Sequence, residues 1–235
     1  AGPHAIFRQA LRLLTGIAAT TLLFVSPLLR AHTPQFQSAR PVWPEGRATE
    51  KNLTIGFRAE FVAPGGRAVT LRCTGSTLYR IWINGQFLAH GPARGPHGYY
   101  RVDEFDLTEQ LASGTNLVAI EVAGYNANSY YLLDQPSFLQ AEVVADGQVL
   151  AATAGSGEGV PFEAVVLPER VQKVQRYSFQ RPFTEIYRLR PGHDAWRKQP
   201  DLAIATVKCA VDGSKALLPR RIAHSEFAKR GAATW

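Results

Sequence analysis

The sequence predicts an all-β sandwich. Three observations carry that expectation: strict apolar/polar alternation over residues 52–61, hairpin turn pairs at Asn84-Gly85 and Asp146-Gly147, and strand-sized runs at roughly 8–12 residue spacing with little helix between them. A doubly wound fold would need crossover helices between its strands, and none is visible. Composition agrees: of 235 residues, 46% are hydrophobic and 10% aromatic, too many for a disordered chain. Two cysteines are too few for a disulfide scaffold.

Each element follows from its residues. Leu53, Ile55, Phe57, Ala59 and Phe61 alternate with Asn52, Thr54, Gly56, Arg58 and Glu60, a strand with one face on a core and one on water. Ala63-Pro-Gly-Gly66 ends it. Val69, Leu71 and Cys73 point inward from the next strand, and Leu78 to Ile83 runs up to Asn84-Gly85. That pair suits a type I′ turn, whose two central positions both need positive φ, and Phe87 and Leu88 begin the return strand. After a Gly/Pro loop over 91–98, Asp106 to Leu111 reads as one or two helical turns, with Asp106 as cap, Glu109 reaching back and Gly114 as the exit. Leu117 to Val122 is apolar on both faces, like a central strand. Phe138 to Val144 and Gln148 to Thr153 flank Asp146-Gly147, and Phe162 to Leu167 is the last strand of the set.

The N-terminus reads as a leader. Arg8 and Arg12 precede an uncharged run from Leu13 to Leu29, broken by Pro27, with Ala31 as a small residue for cleavage. Those 17 residues sit at the lower edge of the roughly 17–25 that span a bilayer, so an uncleaved signal anchor is the alternative to a cleaved signal peptide. The expected organisation is a leader over 1–31, a sandwich over 32–167, and a linker with the truncated start of a following β-rich domain over 168–235. Secretion or periplasmic export is the expected location, with membrane contact only if the leader is retained.

The formal charge of +7 is unevenly placed. Residues 1–166 carry 12 Lys and Arg against 13 Asp and Glu, whereas residues 167–235 carry 14 against 6. In that basic segment Tyr177, Phe179, Phe183, Tyr187 and Trp196 interleave with Arg176, Arg181, Arg188, Arg190 and Arg197, a pattern that single-stranded nucleic acid would need. Export argues against nucleic acid, and these arginines are expected on a polar face or against a neighbouring domain.

Several segments together resemble the N-terminal β-sandwich region of the bacterial α-L-rhamnosidases of glycoside hydrolase family 78. They are Arg58-Ala-Glu-Phe61 before its Pro-Gly turn, Tyr79-Arg-Ile-Trp-Ile-Asn-Gly-Gln-Phe87, Gly91-Pro-Ala-Arg94, Tyr100 with Asp103-Glu-Phe-Asp-Leu-Thr108, and Gly114-Thr-Asn-Leu-Val-Ala-Ile-Glu-Val122. The same pieces occur in other galactose-binding-like jelly rolls, so the resemblance implies a jelly-roll sandwich in a secreted, sugar-degrading protein. It further implies that the acid and base reside in an (α/α)6 barrel matched by nothing in this chain. No catalytic residue is therefore assigned, and the chain alone is expected to be inactive. A stand-alone carbohydrate-binding or cell-surface interaction module is the competing expectation.

Among candidate sites, Asp103, Glu104 and Asp106 are the carboxylates to test against the acid/base pair of a glycosidase, and they read as turn and cap residues. Six histidines lack metal-ligand spacing; no metal or other cofactor is expected, with Ca²⁺ left open. Pairing of Cys73 with Cys209 is left open too. The segment Tyr125-Asn-Ala-Asn-Ser-Tyr-Tyr131 offers flat rings for sugar C–H faces and amides for hydroxyls. Tyr125, Asn126, Asn128, Tyr130 and Tyr131, joined by Tyr100 and Arg94, are the expected carbohydrate-binding residues.

Overall fold

Both hairpin turns form as the residue types require: Asn84 and Gly85 have φ of 50° and 77°, and Asp146 and Gly147 have 45° and 82°. The computed structural model describes residues 35–155 and 157–226; the expected leader lies outside them. Thirteen strands follow in order: β1 (Val42–Pro44), β2 (Leu53–Val62), β3 (Val69–Gly75), β4 (Tyr79–Ile83), β5 (Gln86–Gly91), β6 (Tyr99–Asp106), β7 (Thr115–Gly124), β8 (Leu139–Ala145), β9 (Gln148–Ala152), β10 (Val160–Pro161), β11 (Glu163–Val166), β12 (Cys209–Val211) and β13 (Ala216–Pro219). One sheet runs β11-β2-β7-β4-β5, the other β10-β9-β8-β3-β6-β13 with β1 and β12 attached at β8. From β1 to β8 the chain changes sheet at every connection except the β4–β5 hairpin, and it changes again between β10 and β11, which is the jelly-roll pattern.

The core is the layer between the sheets. Ile55 and Phe57 of β2, Ile81 of β4, and Ile120 and Val122 of β7 meet Leu71 and Cys73 of β3 and Leu139, Ala141 and Val143 of β8. Each large side chain so buried contributes about 1.5–3 kcal/mol. Cys73 and Cys209 are both free thiols. Burial pushes the Cys209 thiol up to about 11 and the fully enclosed Cys73 thiol higher still.

Four expectations change. First, Asp103, Glu104 and Asp106, expected as turn and cap residues, belong to strand β6. Its acids hid the strand, because Asp103 points inward where Tyr79 donates a hydroxyl to Oδ2 and Arg220 Nη1 donates to Oδ1 at 2.8 Å. Second, Asp106 to Leu111 is a turn, not a helix: Asp106 Oδ1 accepts from the Thr108 amide at 2.9 Å and from its hydroxyl at 2.6 Å. Third, β2 is buried on both faces from Leu53 to Ala59 and meets water only at Glu60 and Val62. Its outer side is covered by a short 3-10 turn, Ala195–Arg197, whose Trp196 ring sits on Gly56. A Cβ at Gly56 would come within 2.8 Å of that ring, so only glycine leaves room. Arg58, 2% exposed, donates to the carbonyls of Trp196 and Gln199, each at 3.2 Å.

The fourth change concerns residues 168–226. They do not begin a following domain: β12 pairs antiparallel with β1 and β13 pairs parallel with β6, and they form one compact unit with the sandwich. Ahead of those strands the segment runs over the surface as a strap, pinned by side chains such as Arg170 and Trp196. Among the described residues no helix is long and apolar enough to cross a membrane.

Candidate functional site

A cleft of about 200 Å³ opens between the 91–98 loop, which joins β5 to β6, and the 125–138 loop, which joins β7 to β8. The first loop starts at Gly91 because its backbone passes directly over the Tyr79–Asp103 pair; a Cβ there would lie 2.1 Å from Asp103 Oδ2. The Gly91–Pro92 peptide is cis. Beyond it, Arg94 places its guanidinium 5.7 Å from the centre of the Tyr131 ring, and its carbonyl accepts from Arg101 Nε at 2.6 Å. Opposite, Tyr100 packs edge-on against Phe138 at 4.7 Å and donates to Gln135 Oε1 at 3.0 Å. Gln135 Nε2 in turn donates to the Ser76 carbonyl at 2.6 Å. Burial raises the Tyr100 phenol above its ordinary range, so it remains a hydroxyl donor. The cleft combines one aromatic face, a cation held over it, an amide and a hydroxyl. That set suits a small polyhydroxylated ligand.

Of the expected binding residues, the structure brings Tyr131, Arg94 and Tyr100 to this cleft. Tyr125 and Asn126 are corrected. Tyr125 is buried, its hydroxyl donating to Glu185 Oε1 at 3.3 Å, and burial together with that carboxylate pushes it up to about 12. Asn126 has φ of 45°, which turns its side chain inward to donate to the carbonyls of Ala48 and Glu50 at 3.1 and 2.7 Å and to Ser137 Oγ at 3.1 Å. Asn128 braces the loop, accepting from the Asp134 amide at 2.9 Å and offering its carbonyl to Arg176 Nη2 at 2.6 Å. Tyr130 lies outside the cleft, edge-on to Phe179 at 6.2 Å. Gln135 had no signal in the sequence, since an isolated Gln before Pro136 reads as loop.

The candidate carboxylates are all tied down. Asp103 holds Tyr79 and Arg220, Glu104 pairs with Arg72 at 2.7 Å, and Asp106 closes its own turn. A second charged cluster was not legible. There Glu121 pairs with Arg80 at 2.6 Å, and Arg170 pairs with Glu185 at 3.0 Å while stacking on Tyr187. Burial of Glu185 opposes ionisation, but the hydrogen bond and charge of Arg170, the Tyr187 hydroxyl and the charge of Arg80 together outweigh it and hold the carboxyl below its usual range. These groups brace the strap against β4 and β7. Among the described residues no group of three or more His, Cys, Asp or Glu side chains is placed to hold a metal ion.

No family model matches the chain. A β-galactosidase of Arthrobacter sp. (strain B7) is 30% identical over 113 residues, which is 45% of this chain and 10% of that protein. The family 78 rhamnosidase of Bacillus sp. GL1 superposes with a TM-score of 0.72 at 24% identity, over 81% of this chain and 20% of that one. The α-L-rhamnosidase of Aspergillus terreus follows at a TM-score of 0.58 and 19% identity, over 78% and 22%. The chain thus spans a small part of the proteins it matches, and its β-sandwich fold is the fold of about a fifth of those rhamnosidase chains.

Proposed function

We propose that this chain is an accessory, non-catalytic sandwich of a secreted or periplasmic α-L-rhamnosidase-like glycoside hydrolase, supporting a barrel that carries the catalytic carboxylates. The superposition over 81% of the chain on one fifth of a rhamnosidase is the observation that carries this reading. In the same reading, the Tyr131–Arg94–Tyr100 cleft holds a neutral sugar such as rhamnose: the Tyr131 ring takes a C–H face, and Gln135 and Tyr100 meet hydroxyls. A shallow site for so few heavy atoms reaches millimolar affinity, about −4 kcal/mol.

The test is an NMR titration of the chain with L-rhamnose, beside an aryl α-L-rhamnoside assay. Saturable shifts of the Tyr131, Arg94 and Tyr100 resonances at millimolar sugar, lost in Tyr131→Ala without a change in melting temperature, are expected, together with no turnover. Absence of saturation at tens of millimolar would make the cleft a packing feature. Turnover by this chain would contradict the accessory role.

A further inference from the structure

A larger cleft, of about 540 Å³, lies between the end of β11 and the 188–196 loop of the strap. Its floor is apolar and fixed: Leu167 is 2% exposed, and Trp196 is held between Gly56 and the edge of Trp82, 6.4 Å away. The two walls are joined where the Arg188 amide donates to the Glu169 carbonyl at 2.8 Å. The rim carries Glu169, Arg188, Arg190 and His193, and His193 Nδ1 lies 2.9 Å from the Arg190 carbonyl.

Arg58, Arg80, Arg170, Arg197 and Arg220 each reach a carboxylate. Among the described residues no hydrogen bond or ion pair engages the guanidiniums of Arg181, Arg188, Arg190 and Arg221, and of these Arg188 and Arg190 line the cleft. Two uncommitted planar cations beside an apolar floor are the elements that recognise a carboxylate attached to a hydrocarbon face, because a guanidinium pairs with both oxygens at once. The rim carboxyl that would oppose this, Glu169, is raised above its usual range by burial, so it gives up its charge more readily than an exposed acid.

We propose that this cleft binds a uronic acid residue of an acidic saccharide, with Arg188 and Arg190 on its carboxylate and the Leu167–Trp196 floor under its ring. The saccharide scaffold rests on the carbohydrate reading above; the carboxylate rests on this cleft alone.

The experiment titrates the chain with D-galacturonate and, separately, with D-galactose, following the Trp196 indole N–H, assigned by its loss in Trp196→Phe. Galacturonate is expected to shift it saturably, and galactose to bind about tenfold more weakly or not at all. The Arg188→Gln/Arg190→Gln variant, altered only at exposed side chains, should keep its melting temperature and lose about tenfold in galacturonate affinity. Equal response to both sugars, or unchanged affinity in the double variant, would overturn the proposal. So would displacement by inorganic phosphate at equal concentration, which marks an unselective anion site. If rhamnose moves Tyr131 while galacturonate leaves Trp196 unmoved, the uronate site fails and the neutral-sugar cleft stands; the reverse pattern separates them the other way.

Discussion

The sandwich of residues 42–167 and the strap of residues 168–226 hold their shape by different means. In the sandwich, β2 pairs with β7 over ten residue positions and β3 with β8 over seven, and the stabilising quantity is apolar area between two sheets. The strap has two short strands, of three and four residues, and is fastened at points: Trp196 on Gly56, Arg58 under the 196–199 carbonyls, Arg170 in its carboxylate cluster, Arg220 on Asp103. A segment without a core of its own still adopts one course when each fastening is buried and specific. The fastenings leave Arg188 and Arg190 on the rim of the cleft proposed for a uronate, while the cleft proposed for a neutral sugar lies on loops of the sandwich.

The comparison breaks most sharply at Arg220. Its removal leaves Asp103, which is 0% exposed, with a buried charge lacking its cation; breaking such a pair costs about 3–5 kcal/mol. Chemical denaturation of Arg220→Ala should show a loss of that order. A loss below about 1 kcal/mol, the range of surface ion pairs, would mean that the strap merely rests on β6.

Gly56→Ala asks the same at the other end and has a diagnostic sign. On an uncovered strand, alanine is better than glycine by about 0.5–1 kcal/mol. Beneath Trp196 the new methyl would sit 2.8 Å from the ring and 3.0 Å from Leu167, and overpacking of that kind costs about 1–3 kcal/mol. Destabilisation in thermal melts is expected, and stabilisation would place Trp196 off the strand.

The smallest effect is at Glu50, where Arg47 donates to both carboxylate oxygens at 2.8 Å and holds the carboxyl down to about 2. A depressed carboxyl stabilises the fold above its unfolded value, and that contribution fades as pH falls from about 4.5 towards 2. Because the side chain is 39% exposed, the amount is below about 1 kcal/mol. Glu50→Gln should therefore cost a few tenths of that at pH 6 and nothing near pH 2, measured by urea unfolding at both; equal loss at the two pH values would assign Glu50 a packing role instead.

The same contrast explains what could be read from residues alone. The long strands were legible because alternation and the two positive-φ turn pairs are local signals. β6 was not, since an inward Asp103 looks like a surface residue until Tyr79 and Arg220, 24 and 117 positions away, are placed beside it. β12 and β13 are too short to show a period and owe their conformation to β1 and β6. Tyr131, Arg94 and Tyr100, picked out by their chemistry, line one cleft, but Tyr125 and Asn126 are buried because composition does not record direction: the left-handed Asn126 turns half of that loop into the core.

The most direct test of the account is a chain ending at Leu167, compared with the full 235 residues by thermal and urea unfolding. If strap and sandwich are one cooperative unit, the shortened chain exposes the outer face of β2, takes the Trp196 and Gln199 carbonyls from Arg58 and removes the Arg220 cation from Asp103. It should unfold at least 10 °C lower or fail to give a cooperative transition, since several kcal/mol are lost at about 2–8 °C each. A shortened chain that melts cooperatively within a degree or two of the full one would contradict it, and residues 168–226 would then be an appendage.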